Sequence, residues 1–134
     1  MKENGLEERP EFIFNGNFTV EDGKKAVAYF QNLAEVPTAI LSFNNTMTFG
    51  VILQLTTMGL TIPKDIVVAS YGETEAAQLL QPPGIVSVKQ SPYNMGIRVG
   101  QILIDRLIHN VKVPTHEIFN PIIDIGNKCF HELD

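Results

Sequence analysis

Short apolar runs alternate along this chain with longer segments in which apolar residues recur every three or four positions. The short runs have strand length and lack polar alternation, which is typical of parallel strands that are buried on both faces. They are residues 38–43, 66–71 and 85–90. A further β-prone run at 11–14 precedes a turn signal, and 117–124 predicts a last extended segment.

The longer segments predict helices. Thr19 and Asp22 have the spacing of a capping box that opens a helix up to about residue 34. A second helix is predicted over 46–58, a short one over 74–80 and a long one over 93–110. The apolar arc of the long helix spans roughly 240°, far wider than an ordinary surface stripe. We therefore expect it to fold back onto the sheet or to pack against another copy of the chain.

Alternation of strands and helices predicts the α/β class, with a doubly wound parallel sheet that carries helices on both faces. Ligands of such sheets bind beyond the carboxyl ends of the strands. Four polar segments follow predicted strands, and we expect a binding site where they meet. They are residues 16–18, 43–45, 71–73 and 89–90.

Composition narrows the function. The chain has 134 residues, a formal net charge of −5 and one cysteine. We therefore expect one domain, or a fragment of a larger one, with no internal disulfide and with poor affinity of its own for nucleic acid. It contains no phosphate loop, no nucleophile elbow and no metal-binding histidine spacing. The sequence thus predicts a binding module rather than an enzyme, without cofactor, metal or membrane segment, and a cytoplasmic location.

Two adjacent asparagines, Asn44 and Asn45, stand between two apolar segments. One interpretation is structural, because asparagine favours turns and helix N-caps. The other is functional, because an amide at a strand exit can hydrogen-bond a ligand. The residues themselves leave both interpretations open.

Five segments in order resemble the LacI/GalR family of bacterial transcriptional repressors. They are NGNFTVEDG, PTAILSFNNTMTFGVILQLTTMGL, TIPKDIVVASYGETE, LLQPPGIVSVKQSPYNMG and VGQILIDRLI, within residues 11–124. Members of that family show PTAIFAANDxMAxG, GLxVPxDVSVVGFDD and PPLTTVxQPxxxMG at these spacings. The resemblance implies a two-lobed fold like that of periplasmic sugar-binding proteins.

By the same resemblance, residues 1–134 are the C-terminal part of the effector-binding domain, mainly its C-terminal lobe. Residues 91–120 would belong to the first lobe of the intact protein. Operator DNA would be bound through an N-terminal helix-turn-helix that this sequence does not contain. The function implied is sensing of a small, sugar-like effector, together with formation of a homodimer.

The resemblance also implies roles for single residues. Phe18 matches an aromatic residue that packs against the effector. Asn44 matches an effector-binding asparagine, and Asn45 replaces the aspartate that caps the next helix, so we expect Asn45 to be the cap and Asn44 the effector contact. Gly72 replaces an aspartate that binds the effector, so either Glu73 substitutes for it, or the effector lacks the usual polar group, or sensing has been lost. Gln90 lies in the matching hinge strand. We expect Phe18, Asn44 and Glu73 along one edge of a cleft.

Dimerisation is predicted on the second helix, which is apolar on more than one side. One stripe can cover the sheet, and the other needs a partner. By resemblance, the interface would contain Phe49, Leu53, Leu79 and Leu80.

Two other functions fit the same fold. A periplasmic-type solute-binding protein is the alternative to the repressor, although the N-terminus contains no signal peptide. An enzyme of flavodoxin-like fold is a third, but the chain has neither a phosphate loop nor a pair of catalytic carboxylates.

Overall fold

The computed structural model describes residue 5, residues 7–80, 84–112 and 116–125, with only the backbone at residue 79. Its helices and strands follow the predicted order closely. They are α1 (Val20–Gln31), β1 (Ala39–Ser42), α2 (Asn45–Thr57), β2 (Val67–Tyr71), β3 (Val86–Lys89), α3 (Pro92–Leu107) and β4 (Ile122–Asp124). Short 3-10 helices span Pro10–Phe12 and Glu75–Leu79.

The four strands form one sheet in the order β1-β2-β3-β4. The first three are parallel, as predicted, with Ile40 opposite Val68 and Ser70 opposite Ser87. The last strand, β4, is antiparallel to β3. The carboxyl ends of β1, β2 and β3 therefore lie at the same edge of the sheet.

The strand predicted at residues 11–14 is wrong. Residues Pro10–Phe12 form a 3-10 helix, in which the Phe12 N–H donates to the Arg9 carbonyl oxygen over 3.0 Å. Proline at the first helical position fixes φ near the helical value and has no N–H to leave unpaired. Phe14 still packs against the core.

The predicted capping box at the start of α1 is confirmed. The Thr19 hydroxyl accepts from the Asp22 N–H over 3.1 Å, and the Asp22 carboxylate accepts from the Thr19 N–H over 3.3 Å. The same carboxylate accepts the Asn17 N–H over 2.9 Å. One carboxylate thus stabilises both the helix end and the turn before it.

This contact gives a prediction about pH. Hydrogen bonds from the Thr19 hydroxyl, and next from the Asn17 N–H, hold the pKa of Asp22 below its ordinary value. The stability they contribute is therefore present above the unfolded pKa of about 3.9 and is lost as pH falls through the folded pKa. We expect Asp22→Asn to lower Tm near neutral pH, and the difference from the unaltered chain to close at acid pH.

Thermal unfolding followed by circular dichroism across that pH range measures the difference. The matched control is Glu21→Gln in the same helical turn, where the carboxylate pairs with Lys24 over 3.6 Å. Its Tm difference should be much smaller. If the Tm difference between Asp22→Asn and the unaltered chain stays constant down to about pH 2, the lowered pKa of Asp22 does not stabilise the fold.

Helices α1 and α2 cross at two glycines. A Cβ on Gly50 would overlap the carbonyl oxygen of Val20 and would lie 3.1 Å from the Cα of Gly23. A Cβ on Gly23 would overlap the carbonyl oxygen of Met47. The missing side chains therefore allow the two helix backbones to approach each other closely.

The core lies between α1, α2 and one face of the sheet. Val27 of α1, Val51 and Leu55 of α2 and Val68 of β2 are almost completely buried there. The opposite face of β1 is open, with Leu41 57% exposed. The prediction that strand 38–43 is buried on both faces is wrong, because no helix in the described ranges covers this second face.

Helix α3 contains no buried residue. Ile97, Ile104 and Ile108 are exposed, so the prediction that this helix folds back onto the sheet is wrong. Instead, the Arg98 guanidinium forms a bidentate pair with the Glu117 carboxylate, which ties α3 to the segment before β4. Packing against another copy of the chain stays a prediction.

Within the part of the chain that the structure describes, no helix combines the length and the apolar character needed to cross a membrane.

Candidate functional site

A cleft of about 440 Å³ lies at the edge of the sheet where β1, β2 and β3 end. Its volume falls within the range of small-molecule sites, roughly 300–1,000 Å³. Segments that follow all three parallel strands contribute to it, as the strand-exit rule predicts. The lining residues are Phe43, Asn44, Asn45, Tyr71, Gly72, Glu73, Gln90 and Pro92.

Asn44 has a structural role at this edge. Its Oδ1 accepts the N–H groups of Thr46 and Met47 over 2.8 and 3.1 Å, which makes Asn44 the N-cap of α2. Among the described residues, its Nδ2 has no acceptor. One side of the amide thus stabilises the helix, and the other side can donate to a ligand.

The predicted division of roles between the two asparagines is wrong about the cap. Asn44 leaves β1 in an extended conformation, with φ −152° and ψ 137°, and so occupies the cap position. Asn45 is already the first residue of α2 and lines the cleft. The helix begins one residue earlier than the motif suggested.

Gly72 stands in a backbone conformation that side-chain-bearing residues rarely adopt, with φ +112°. Its N–H donates to the Val88 carbonyl oxygen over 3.1 Å, which ties the turn to β3. A Cβ here would lie 3.6 Å from the Cβ of Asn45, an ordinary contact. An aspartate at this position would therefore be opposed by the backbone conformation rather than by lack of space.

Among the described residues that line the cleft, Glu73 is the one with a charged side chain. Its Oε1 lies 3.5 Å from Lys89 Nζ, and the same ammonium lies 2.8 Å from Asp124 Oδ2. These carboxylates, Asp124 first, raise the pKa of Lys89. An anionic ligand would meet the Glu73 carboxylate. A neutral polar ligand would meet the side-chain amides of Asn44, Asn45 and Gln90 and could donate to Glu73.

Comparison with known proteins identifies this architecture. A family model described as a periplasmic binding protein-like domain matches residues 1–125. The chain belongs to the periplasmic-binding-protein-like domain family. The predicted fold class is thereby confirmed, and so is the resemblance to the effector-binding domain of LacI/GalR regulators.

Individual relatives of this periplasmic-binding-protein-like domain are transcription regulators. An HTH-type transcriptional repressor PurR of Actinobacillus pleuropneumoniae serotype 3 (strain JL03) is 31% identical over 107 residues, which are 80% of this chain and 32% of that protein. A solved structure of a putative transcriptional regulator LacI from Bacillus cereus subsp. cytotoxis NVH 391-98 has a TM-score of 0.83 at 23% identity, and the match covers 96% of this chain and 45% of that one.

A complex of the transcriptional regulator CelR with cellobiose has the same fold. Its TM-score is 0.79 at 22% identity, and the match covers 93% of this chain and 39% of that chain. The chain thus spans less than half the length of these relatives.

The periplasmic-binding-protein-like domain brings four of the five predicted effector-binding residues to the cleft, namely Asn44, Gly72, Glu73 and Gln90. Phe18 is not among the lining residues; it is exposed, at φ 62°. The turn before it lies beside α2, because a Cβ on Gly16 would come within 3.1 Å of Met47 Cε. Contact of any of these residues with an effector stays a prediction.

Sequence reasoning placed residues 43 and 71 at this edge of the sheet but assigned them no contact with the effector, and so it missed the apolar walls of the cleft. Phe43 and Tyr71 are exposed aromatic residues that line it, together with Pro92. Each of the two aromatic residues directly precedes a predicted contact, Asn44 or Gly72. An aromatic residue next to a polar residue at a strand exit is the signal that could have identified them.

The residues of the predicted dimer interface are only partly visible. Phe49 and Leu53 are exposed on α2, opposite the buried Val51 and Leu55. Leu80 is half-buried against the core, and the side chain of Leu79 lies outside the described part of the chain. The interface stays a prediction.

In the described ranges, no cluster of three histidine, cysteine or acidic residues could hold a metal ion.

Proposed function

We propose that this chain is the effector-sensing and dimerisation segment of a bacterial transcriptional repressor, and that the effector is a small, uncharged, sugar-like molecule. The observation that carries the proposal is the cleft at the carboxyl edge of β1–β3, in which amides and exposed aromatic rings face one space.

The chemistry of the lining supports an uncharged, hydroxyl-rich ligand. The side chains of Asn44, Asn45 and Gln90 offer both donors and acceptors, so they match hydroxyl groups in either direction. Tyr71 and Phe43 offer apolar faces to the C–H groups of a ring. Glu73 accepts strongly from hydroxyls and disfavours an anion.

The relatives support the same class of function. One solved relative is a regulator in complex with cellobiose, a neutral disaccharide. A periplasmic-type solute-binding protein could use a similar cleft, but the relatives are named as transcription regulators, which favours the repressor. In this proposal the protein works in the cytoplasm without a cofactor, and a helix-turn-helix outside this sequence contacts operator DNA.

We further propose that residues 91–120 belong to the other lobe of the intact domain. The absence of buried side chains on α3 supports this assignment, because a helix with so wide an apolar arc requires a partner. Because the cleft is then one half of a two-lobed site, we expect this chain alone to bind pentoses, hexoses and cellobiose weakly or undetectably. Micromolar affinity in titration calorimetry with the isolated chain would refute the half-site proposal.

Asn44→Asp in the intact regulator tests the effector site. The carboxylate still accepts the Thr46 and Met47 N–H groups and suits the positive end of α2, so stability without ligand should be kept. The Nδ2 donors are lost, and affinity for a sugar found by thermal-shift screening should fall roughly tenfold or more. Calorimetry with Asn32→Asp as the control, an asparagine outside the cleft, measures the difference. Unchanged affinity in Asn44→Asp contradicts the site.

We also propose a homodimer through Phe49, Leu53, Leu79 and Leu80. Phe49→Asp should convert the dimer to monomers, because a carboxylate cannot be buried unpaired in an apolar interface. Sedimentation velocity measures the change. The matched control is Val36→Asp, because Val36 and Phe49 are both 41% exposed but Val36 lies outside the proposed surface. If Phe49→Asp remains dimeric, the interface is elsewhere.

A further inference from the structure

The last residue of β3 is a lysine that reaches the cleft through another side chain. The described residues that line the cleft include Glu73 but not Lys89. The Lys89 ammonium lies 3.5 Å from Glu73 Oε1 and 2.8 Å from Asp124 Oδ2 in β4. Two carboxylates, one in the cleft and one in the sheet, therefore share one ammonium.

The register of the sheet explains the contact with Asp124. Strands β3 and β4 are antiparallel, and Lys89 stands opposite Ile122. Asp124 lies two residues farther along β4, so it is the diagonal neighbour of Lys89 on the same face of the sheet. A lysine side chain is long enough to reach such a neighbour. Strand pairing thus sets the position of the ammonium, and Asp124 anchors it.

The Glu73 side chain is held less tightly. It is 57% exposed, and among the described residues Lys89 is its one ion-pair partner. The backbone that carries it is fixed, because the Gly72 N–H donates to the Val88 carbonyl oxygen of β3. The direction in which the Glu73 carboxylate points from this turn therefore depends on Lys89.

The ammonium also changes the electrostatics of the cleft. Asp124, and after it Glu73, raises the pKa of Lys89, so the ammonium stays charged at neutral pH. A carboxylate beside a fixed ammonium still accepts hydrogen bonds from hydroxyl groups through its remaining lone pairs. It attracts a cation less than an isolated carboxylate does, because the two charges partly cancel at the distance of a ligand.

We propose that Lys89 is a positioning residue that sets the charge selectivity of the cleft. Anchored by Asp124, its ammonium holds the Glu73 carboxylate in place and offsets its charge, so that the cleft prefers neutral, hydroxyl-bearing ligands to cations. Glu73 disfavours anions, and Lys89 adds the discrimination against cations. The inference rests on the proposed function only in treating the cleft as a ligand site.

The test uses NMR on this chain with nitroxide radicals of different charge, and it needs no effector. A neutral and a cationic nitroxide of similar size each speed relaxation of nearby amide protons, and the ratio of the two effects reports the local attraction for a cation. Lys89→Met removes the ammonium and keeps an unbranched stem. At low salt we expect the cationic-to-neutral ratio at the Asn45 and Gly72 N–H groups to rise roughly two- to fivefold. Lys89→Arg should restore the ratio of the unaltered chain.

A matched control and a second readout separate positioning from a simple loss of charge. Lys24→Met removes the same charge from an ion pair with Glu21 on α1, away from the lining of the cleft, so the ratio in the cleft should stay nearly unchanged. Three-bond couplings to the Glu73 Hβ protons report the rotamer of its side chain. We expect one preferred rotamer in the unaltered chain and in Lys89→Arg, and averaged couplings in Lys89→Met.

Each outcome decides one part of the proposal. An unchanged ratio in Lys89→Met, or an equal rise in Lys24→Met, overturns the charge offset. Glu73 couplings that are already averaged in the unaltered chain, or that do not change in Lys89→Met, overturn the positioning role. Lys89→Gln replaces Lys89→Met should the latter not fold. If the intact regulator bound no sugar, the proposed function would fail while these results would stand, because the nitroxides themselves are the neutral and cationic probes.

Discussion

Gly50→Ala should prevent folding or lower the free energy of unfolding by about 3 kcal/mol or more. The new methyl group would overlap the Val20 carbonyl oxygen, and backbone cannot move aside as a flexible side chain can. Separation of α1 from α2 would then open the core around Val27 and Val51. Urea unfolding followed by circular dichroism measures the loss.

Gly100→Ala is the control for this experiment. Gly100 lies within α3, and a Cβ there would meet nothing within 4 Å. Alanine is the better helix former by roughly 0.5–1 kcal/mol, so this variant should be neutral or more stable. If Gly50→Ala were as stable as Gly100→Ala, the close crossing of α1 and α2 would be disproved.

Leu55→Ala should cost about 2–5 kcal/mol of unfolding free energy. Leu55 is 0% exposed and lies in the core that α2 forms with the sheet. Truncation removes buried methyl groups and leaves a cavity that rigid helices cannot close. Leu41→Ala is the control, because Leu41 is exposed on the open face of β1, and it should stay within about 1 kcal/mol of the unaltered chain.

The same urea titration compares the two leucine variants. If Leu55→Ala shifts the urea midpoint no more than Leu41→Ala does, α2 does not pack on the sheet as described. A change in the slope of the transition would instead indicate that the surface exposed on unfolding has changed or that unfolding is no longer two-state.

Hydrophobic patterning predicted strands over 66–71 and 85–90 and a helix over 46–58, and the structure has them at 67–71, 86–89 and 45–57. The agreement is close because periodicity reports directly which positions need burial. The position of the cleft also followed from the sequence, because strand exits of a parallel sheet share one edge. Periodicity did not predict the 3-10 helix at Pro10–Phe12, because the effect of one proline outweighed the β-propensity of its neighbours.

Other features depend on what surrounds a residue. The apolar run at β1 shows that Leu41 can be buried but not which element covers it, and the same holds for α3. The choice between Asn44 and Asn45 as N-cap depends on where the chain leaves the strand, a boundary that patterns place within a residue or two. The ion pairs of Lys89 with Glu73 and Asp124 need coordinates, because the three residues are far apart in sequence.

Helix α2 begins at Asn45, directly after its N-cap Asn44 in the cleft, and it carries Phe49 on its outer side about one turn later. A helix moves as a rigid rod, so a force applied at its cap displaces its outer surface as well. Ligand binding in the cleft and dimerisation through Phe49 would then both act on helix α2. Thermodynamic linkage makes such coupling reciprocal, so a partner bound at Phe49 would change the affinity of the cleft by the same factor as a ligand changes the affinity for the partner.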